Sequence, residues 1–464
     1  MKAKTKIEDL KKGLRGKRVV VAGMARTGMA AAEFVSKIGA EVIVTEMKTE
    51  DELGASPYRL RSLGVEVELA GHSPQTFLRG DLIILSPGVD PSIPPLEGAR
   101  LKGIPIVSEI ELASWYLRPP LIAVTGTNGK STTTSLIGHI LSHWGKKVFV
   151  GGNIGTPLSE YLLQRGEADY IVAEISSFQL EAICSFRPWI ALLLNLGEDH
   201  LDRHPTFSSY AEAKRKIFLN QGPGDWAVVN NDDAAVRILM PQISAQLLPF
   251  GIRGAGGKGV WLEAEGVLIY KGERDEERFS LERLKIMGMH NVENIMAAIG
   301  AVKICGVPRE AIQESLESFA GLEHRLELVG EWRGVSFYND SKATNVTSTL
   351  RALMSFERPI ILLAGGRDKG GDYSPLRGAI KERVKALILM GEAKERMEKA
   401  LGGLVPTYLA KEMEEGVGLA CEMTREGDVV LLSPACSSFD MFQDYRERGR
   451  TFKEIVLGLA RKWG

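Results

Sequence analysis

Residues 121–134 read Leu-Ile-Ala-Val-Thr-Gly-Thr-Asn-Gly-Lys-Ser-Thr-Thr-Thr, and no other stretch so narrows what the chain can fold into. The apolar run Leu121–Val124 predicts a short buried strand. A glycine turn, Gly126 to Gly129, then delivers Lys130 and Ser131 to a helix in which Leu136, Ile137, Ile140, Leu141 and Trp144 recur at helical spacing. Such a strand, turn and helix make a phosphate cradle. Glycines let backbone N–H groups approach phosphate oxygens, and the helix N-terminus favours negative charge. A lysine reaches the terminal phosphates, and a serine hydroxyl can ligate magnesium. The general pattern asks for glycine at 124, where Val124 stands, and the plain alternative is an ordinary strand–helix turn with a surface lysine. Because strand, turn and helix all lie where the mechanism needs them, Gly126, Thr127, Asn128, Gly129, Lys130, Ser131 and Thr132 are expected to hold a nucleotide triphosphate.

At 464 residues the chain exceeds one ordinary core, and about three domains are expected. Its net charge of −1 gives no basic face for nucleic acid. Cys184, Cys305, Cys421 and Cys436 are scattered without a C-x-x-C pair, which speaks against a disulfide framework or zinc site and fits a reducing cytosol. The basic N-terminus lacks an apolar signal core, and runs such as Trp189–Leu194 are far too short to span a membrane. A soluble cytoplasmic protein is the expectation.

Arg18–Met24, the helix around Ala30–Ile38 and Glu41–Thr45 predict a βαβ opening with Gly23-Met-Ala-Arg-Thr-Gly28 at its turn. As a dinucleotide fingerprint this turn is defective, because Ala25 takes the middle glycine position; Glu46 stands where a ribose-binding acid would lie. Strands are also expected at Val65–Leu69, Leu82–Leu85 and Ile104–Val107, with Pro91, Pro94 and Pro95 marking a loop. Tyr170-Ile-Val-Ala-Glu174 is an apolar strand ending in a carboxylate, where a nucleotide fold places the acid for magnesium. Asn195-Leu-Gly-Glu-Asp-His200-Leu-Asp-Arg-His204 follows the next strand; it is either a metal-ligating rim or a solvated polar loop. His139 and His143 have ligand-like spacing but read as partly exposed helix positions. The stretch 251–283 reads as a weak hairpin or loops. Strand–helix alternation resumes after 322, with polar loops at the strand ends. The predicted domains are 1–108, 109–321 and 322–464, three α/β units in series.

Together, Thr125-Gly-Thr-Asn-Gly-Lys-Ser131, Gly152-Asn-Ile-Gly155, Glu174-Ile-Ser-Ser-Phe-Gln179, Glu198-Asp-His200, His290-Asn291, Glu323-His-Arg325, Asn339-Asp-Ser-Lys-Ala-Thr-Asn345 and Ser433-Pro-Ala-Cys-Ser-Ser-Phe-Asp440 resemble the Mur ligases, in that family's order and over nearly the whole chain. Ser176-Ser-Phe-Gln-Leu and the Ser433 segment are most similar to its D-glutamate-adding members. The resemblance implies a Rossmann-like UDP-binding domain, a central P-loop ATPase-like domain and a C-terminal Rossmann-like domain that takes the amino acid and part of ATP. It implies an ATP-dependent amide ligation in peptidoglycan precursor synthesis, through an acyl phosphate of UDP-N-acetylmuramoyl-L-alanine attacked by D-glutamate.

By resemblance, Lys130 holds the transferring phosphate and Ser131 and Glu174 serve one Mg2+. His200 serves a second Mg2+ with the aid of Lys214, which is carbamylated in this family. Asn291, Asn294, Arg325, Asp340 and Lys342 match nucleotide positions. Thr344, Lys369, Ser438, Phe439 and Tyr445 match the D-glutamate site. Arg26, Thr27, Ser86, Pro87 and Gly88 match the UDP site, with Asn153 facing the substrate pyrophosphate or sugar. The implied partners are these small molecules alone, acting on a monomer. Departures gather in the first domain: Ala25 replaces a usual glycine, and Glu46-Met-Lys48 stands where many members have Asp-Thr-Arg. The rival readings are a sister or folylpolyglutamate-type ligase, a nicotinamide oxidoreductase built on the first βαβ, and a non-catalytic nucleotide-binding module.

Overall fold

The structure is a computed structural model, which describes residues 2–197, 199, 203–254, 257–264, 266–273, 275–286, 288–368 and 370–463. His200 and Lys369, both expected at the site, lie outside the described residues, as does Glu198.

Strands β1 (Arg18–Ala22), β2 (Glu41–Thr45), β3 (Glu66–Glu68), β4 (Leu82–Leu85) and β5 (Ile106–Ser108) form an all-parallel sheet in the order β3-β2-β1-β4-β5. The order reverses at β1, and the crevice beyond the ends of β1 and β4 is where such sheets take ligands. Pro94 and Pro95 do not mark a loop. They open a helix, Pro94–Leu101, because the first helical turn needs no N–H from them and their fixed φ already suits it.

The second sheet runs β14-β13-β12-β11-β10-β9-β6-β8-β7. Its strands are β6 (Leu121–Thr125), β7 (Val148–Gly152), β8 (Tyr170–Glu174), β9 (Ile190–Leu193), β10 (Trp226–Asn230), β11 (Gln246–Gly251), β12 (Gly259–Ala264), β13 (Val267–Lys271) and β14 (Glu276–Ser280). All of β6 is buried between its parallel neighbours β8 and β9, which explains its unbroken apolar sequence. The stretch read as a weak hairpin is three strands. β12, β13 and β14 pair antiparallel and bury Trp261, Leu268 and Phe279.

The third sheet, β15-β16-β20-β17-β18-β19, comprises β15 (Glu327–Trp332), β16 (Val335–Asn339), β17 (Ile360–Gly365), β18 (Val384–Met390), β19 (Thr407–Leu409) and β20 (Val429–Leu432). Only its β15–β16 pair is antiparallel.

The chain divides into two compact units: residues 1–282 with 293–316, and residues 283–292 with 317–464. The first unit therefore holds two sheets, joined through the buried helix Glu109–Ser114. Leu112 packs into the core of the first sheet, while Ile110 and Ala113 pack into that of the second. Glu111, fully buried, accepts hydrogen bonds from the backbone N–H groups of Cys184, Ser185 and Phe186 and from the indole of Trp115. With the Ser185 hydroxyl, which also donates to it, five donors on one carboxylate supply what burial takes away. Among the described residues, no helix is long and apolar enough to cross a membrane.

Candidate active site

In the first unit, β6 leads into the glycine turn and then into the helix Lys130–His143. Gly129 caps that helix at φ +84°, and a Cβ there would lie 2.1 Å from Asn294 Oδ1, so no other residue fits without displacing the asparagine. Asn294 also accepts from Thr133 Oγ1 at 3.3 Å. The turn is strapped to the chain after β9. Asn128 N donates to Asn195 Oδ1 at 2.8 Å, Asn195 returns a bond to Asn128 O at 3.1 Å, and Gly197 N donates to Thr127 Oγ1 at 2.9 Å. Thr132 is buried at the helix start. This bracing holds the turn open at its mouth.

Two amines meet inside it. Lys130 Nζ donates to Gly126 O and Thr127 O, both at 2.9 Å, and Lys214 Nζ donates to the same Gly126 O at 2.9 Å. Lys214 is 2% exposed and lies 4.7 Å from the centre of the Tyr210 ring. Burial first, and then the charge of Lys130, hold its pKa well below the usual lysine range, against the opposing pull of Asp199 and Glu174. Tyr210, whose hydroxyl lies 3.2 Å from Thr127 Oγ1, is itself pushed up by burial.

Glu174, at the end of β8, accepts from Ser131 Oγ at 2.6 Å and from Asn153 Nδ2 at 2.7 Å. A hydroxyl and a carboxylate side by side are hard oxygen donors suited to Mg2+, which keeps several waters and takes few protein ligands. His204, near the end of the polar loop, is buried 3.1 Å from Ser177 Oγ, stacked on Phe178 and 5.4 Å from the Tyr210 ring. His143 pairs with Glu314 at 3.3 Å on an exposed face. Neither belongs to a metal cluster; among the described residues there is no group of three or more His, Cys, Asp or Glu able to hold an ion.

Asn153 also faces a cavity of about 740 Å³ at the ends of β1 and β4. Thr27, Ser86, Pro87 and Gly88 line it as expected, together with Glu46, Lys48, His72 and Gln179. Its floor is tight: a Cβ on Gly28 would sit 1.9 Å from Gly23 O. Arg26 does not join them. Its guanidinium turns to Glu160, at 3.2 Å, and lines a separate cleft. Glu46, expected as a ribose acid, instead accepts the N–H groups of Met24 (2.7 Å) and Lys48 (3.2 Å) and so shapes the turn.

In the second unit, Asp340 directly follows β16 and is buried. It accepts from Ser433 Oγ at 2.9 Å and Leu326 N at 3.3 Å, and desolvation pushes its pKa up to about 7. The nearby helix start carries His290, half-buried and driven down to about 4 by desolvation and by the charges of Arg351 and Arg325. Arg325 thus stands near both Asp340 and the His290-Asn291 turn. Lys342 lies 3.9 Å from the Tyr445 ring centre. Ser438 is buried, Phe439 is exposed and Thr344 is half-buried. The residue that joins the two polar loops is Arg448, which the sequence reading missed. Its buried guanidinium donates to Ser341 Oγ (2.9 Å), Ser341 O (2.8 Å), Cys436 O and Ser437 O (3.2 Å each). A single arginine in a charged helix start looks solvated until the fold turns it inward.

The chain belongs to the Mur ligase family. The Mur ligase MurD-like N-terminal domain matches residues 17–108, the Mur ligase middle domain 124–302, and the Mur ligase glutamate ligase domain 324–436. Within that family it is 48% identical over 447 residues to the UDP-N-acetylmuramoylalanine–D-glutamate ligase of Geotalea uraniireducens, covering 96% of this chain and 98% of that one. The enzyme of the same name from Geobacter metallireducens is 47% identical over 448 residues, with the same coverage. The MurF ligase of Thermotoga maritima, solved in complex with ADP, shares the fold at a TM-score of 0.58 and 18% identity, covering 98% of this chain and 97% of that chain.

Proposed function

We propose that this chain is the ligase that adds D-glutamate to UDP-N-acetylmuramoyl-L-alanine at the expense of ATP, forming an acyl phosphate that the amine of D-glutamate attacks. The observation that carries the reading is the buried group at the phosphate turn: Lys130 and Lys214 on one carbonyl, beside the Ser131–Glu174 pair. Phosphoryl transfer between two anions needs cations and donors fixed in advance around the moving charge. Lys130, from the helix start, is that cation. Residues 126–132 offer backbone N–H groups to the phosphates, and Asn294 braces the turn behind them.

Ser131 and Glu174 would hold Mg2+, which supplies charge neutralisation on the phosphate oxygens when bound. A second Mg2+ served by His200 and Lys214 belongs to the same proposal. A neutral amine is the form that reacts with CO2, so the depressed pKa of Lys214 supports its carbamylation. The carbamate would place an anion beside Lys130, where a charged amine would be repelled. Asn291, Arg325, Asp340 and Lys342 are assigned to the nucleotide. Thr344, Lys369, Ser438, Phe439 and Tyr445 are assigned to D-glutamate, with Arg448 as a positioning residue for their loops. Thr27, Ser86, Pro87, Gly88 and Asn153 are assigned to the UDP-sugar, and Arg26 to the rim. We assign these tasks to domains 1–108, 109–321 and 322–464 in turn, in a cytoplasmic monomer.

Phosphate release from ATP, measured with UDP-N-acetylmuramoyl-L-alanine and a panel of amino acids, tests the reading. Release with D-glutamate alone is expected. Release with another amino acid moves the chain to a sister ligase, and release with none removes the proposal.

A further inference from the structure

Resting on the reading of the 740 Å³ cavity as the seat of the uridine diphosphate moiety, we propose that His72 reads the pyrimidine, accepting the imide N3–H of uracil on Nε2. The residue lies just beyond β3 and lines the cavity.

Its tautomer follows from one hydrogen. Thr45 Oγ1 lies 2.9 Å from Gly71 O and 2.9 Å from His72 Nδ1. A carbonyl oxygen can only accept, so the single hydroxyl hydrogen of Thr45 goes to Gly71. The Thr45 oxygen must then accept from His72, which puts the ring hydrogen on Nδ1 and leaves a lone pair on Nε2. Burial pushes the pKa of the ring down, against the pull of Glu46 and Glu68, and so favours this neutral form. The edge-on contact with Phe77, at 5.9 Å between centroids, fixes the ring plane.

Several of the other polar groups around the cavity already have tasks, and the Lys48 ammonium, which also lines it, can only donate. Both oxygens of Glu46 accept backbone N–H groups, Ser86 Oγ donates to Gly23 O, and Asp90 is tied to Ser92. Gln179 Oε1 accepts from Ser176, and the Asn153 amide donates to Glu174. His72 Nε2 accepts no hydrogen bond among the described residues. Met24, Met47, Leu53, Val89 and Ile93 supply apolar wall for a flat ring. An acceptor on a cavity lined in part by apolar side chains matches uracil, whose N3 carries hydrogen. It opposes cytosine, whose N3 carries a lone pair.

The test compares kcat/KM for the UDP substrate and its CDP analogue in the wild type, His72→Ala and His72→Gln. The wild type should prefer uridine by about a hundredfold or more, since a site built to bond a donor rejects the analogue that lacks it. In His72→Ala the uridine preference should narrow about tenfold, through KM, with kcat unchanged. His72→Gln, which restores an acceptor oxygen, should recover part of it. An undiminished preference in His72→Ala overturns the proposal. Should that variant fail to fold, 15N NMR of the wild type decides: a protonated Nδ1 and a shift of the Nε2 resonance on adding UDP support it, and an unmoved Nε2 overturns it. If UDP does not bind the wild type at all, the reading of the cavity fails instead.

Discussion

Lys214 in the first unit and Asp340 in the second are opposite charges treated alike. Each is buried, each ends in a hydrogen-bonded niche, and each is driven by desolvation toward its neutral form. Their neighbours differ. Lys214 shares a carbonyl with a second cation, Lys130, so its neighbour adds to the effect of burial. Asp340 faces a hydroxyl, an amide N–H and the distant charges of Arg325 and Arg448, all of which resist it. The first arrangement favours an uncharged amine, and the second holds a carboxyl whose protonation falls near neutral pH. Burial sets the scale of a shift, and the neighbour decides its use.

The largest effects belong to the two cations. Lys130→Ala should cost on the order of a hundredfold or more in turnover, because the lost charge acts mainly in the transition state. It should also raise the pKa of Lys214, readable by 13C NMR of the lysine methylene, and an unmoved resonance would deny their coupling. Lys214→Ala should be nearly inactive but partly rescued by short carboxylates; full activity without them would rule out an essential carbamate.

Asp340 sharpens the comparison through stability. Its folded pKa of about 7 exceeds the unfolded value near 3.8, so the folded chain holds the extra proton between them. The stability it contributes is complete below pH 3.8 and is lost as pH rises toward and through 7, by up to about 4 kcal/mol. Lys214 runs the other way: its contribution is complete above the ordinary lysine pKa and is lost as pH falls toward its depressed value. Asp340→Asn, with its amide oxygen toward Leu326 N and its NH2 toward Ser433, should flatten the acid-to-neutral slope and raise the thermal midpoint at pH 8 by a few degrees. Calorimetric scans between pH 5 and 8 check both, and an unchanged slope would deny Asp340 its burial. The smallest effect belongs to an exposed contact. His143→Ala should change stability by less than about 0.5 kcal/mol, since a solvent-facing contact such as that with Glu314 is worth little, and a larger loss in urea titrations would require a buried role.

Where function is written in strands and turns, the chain was legible. Strands β2, β4 and β8 have the bounds that their apolar runs predict, and the phosphate turn, Glu174 and Ser131 meet as their spacing implies. What could not be read depends on distant partners. Arg26 turns to Glu160, 134 positions away, and Arg448 gathers carbonyls from two loops. Glu46 looked like a ribose ligand because its backbone amide partners cannot be seen in a sequence. The β12–β14 strands were obscured by glycine and charge, although Trp261, Leu268 and Phe279 mark their buried face.

Glu111 bears on modularity. The helix it sits on follows directly on β5, so the chain order suggests a nucleotide-binding module that could be cut near residue 108 and grafted elsewhere. Its carboxylate, however, is received by the N–H groups of Cys184, Ser185 and Phe186, and Ser108 N donates to Ala182 O. A graft that takes the helix without this receptor carries a carboxyl group without its donors, and one that leaves the helix behind leaves an empty nest of amides. The heritable piece is the first sheet with its helix and the Ala182–Phe186 segment, two stretches of chain that must travel together.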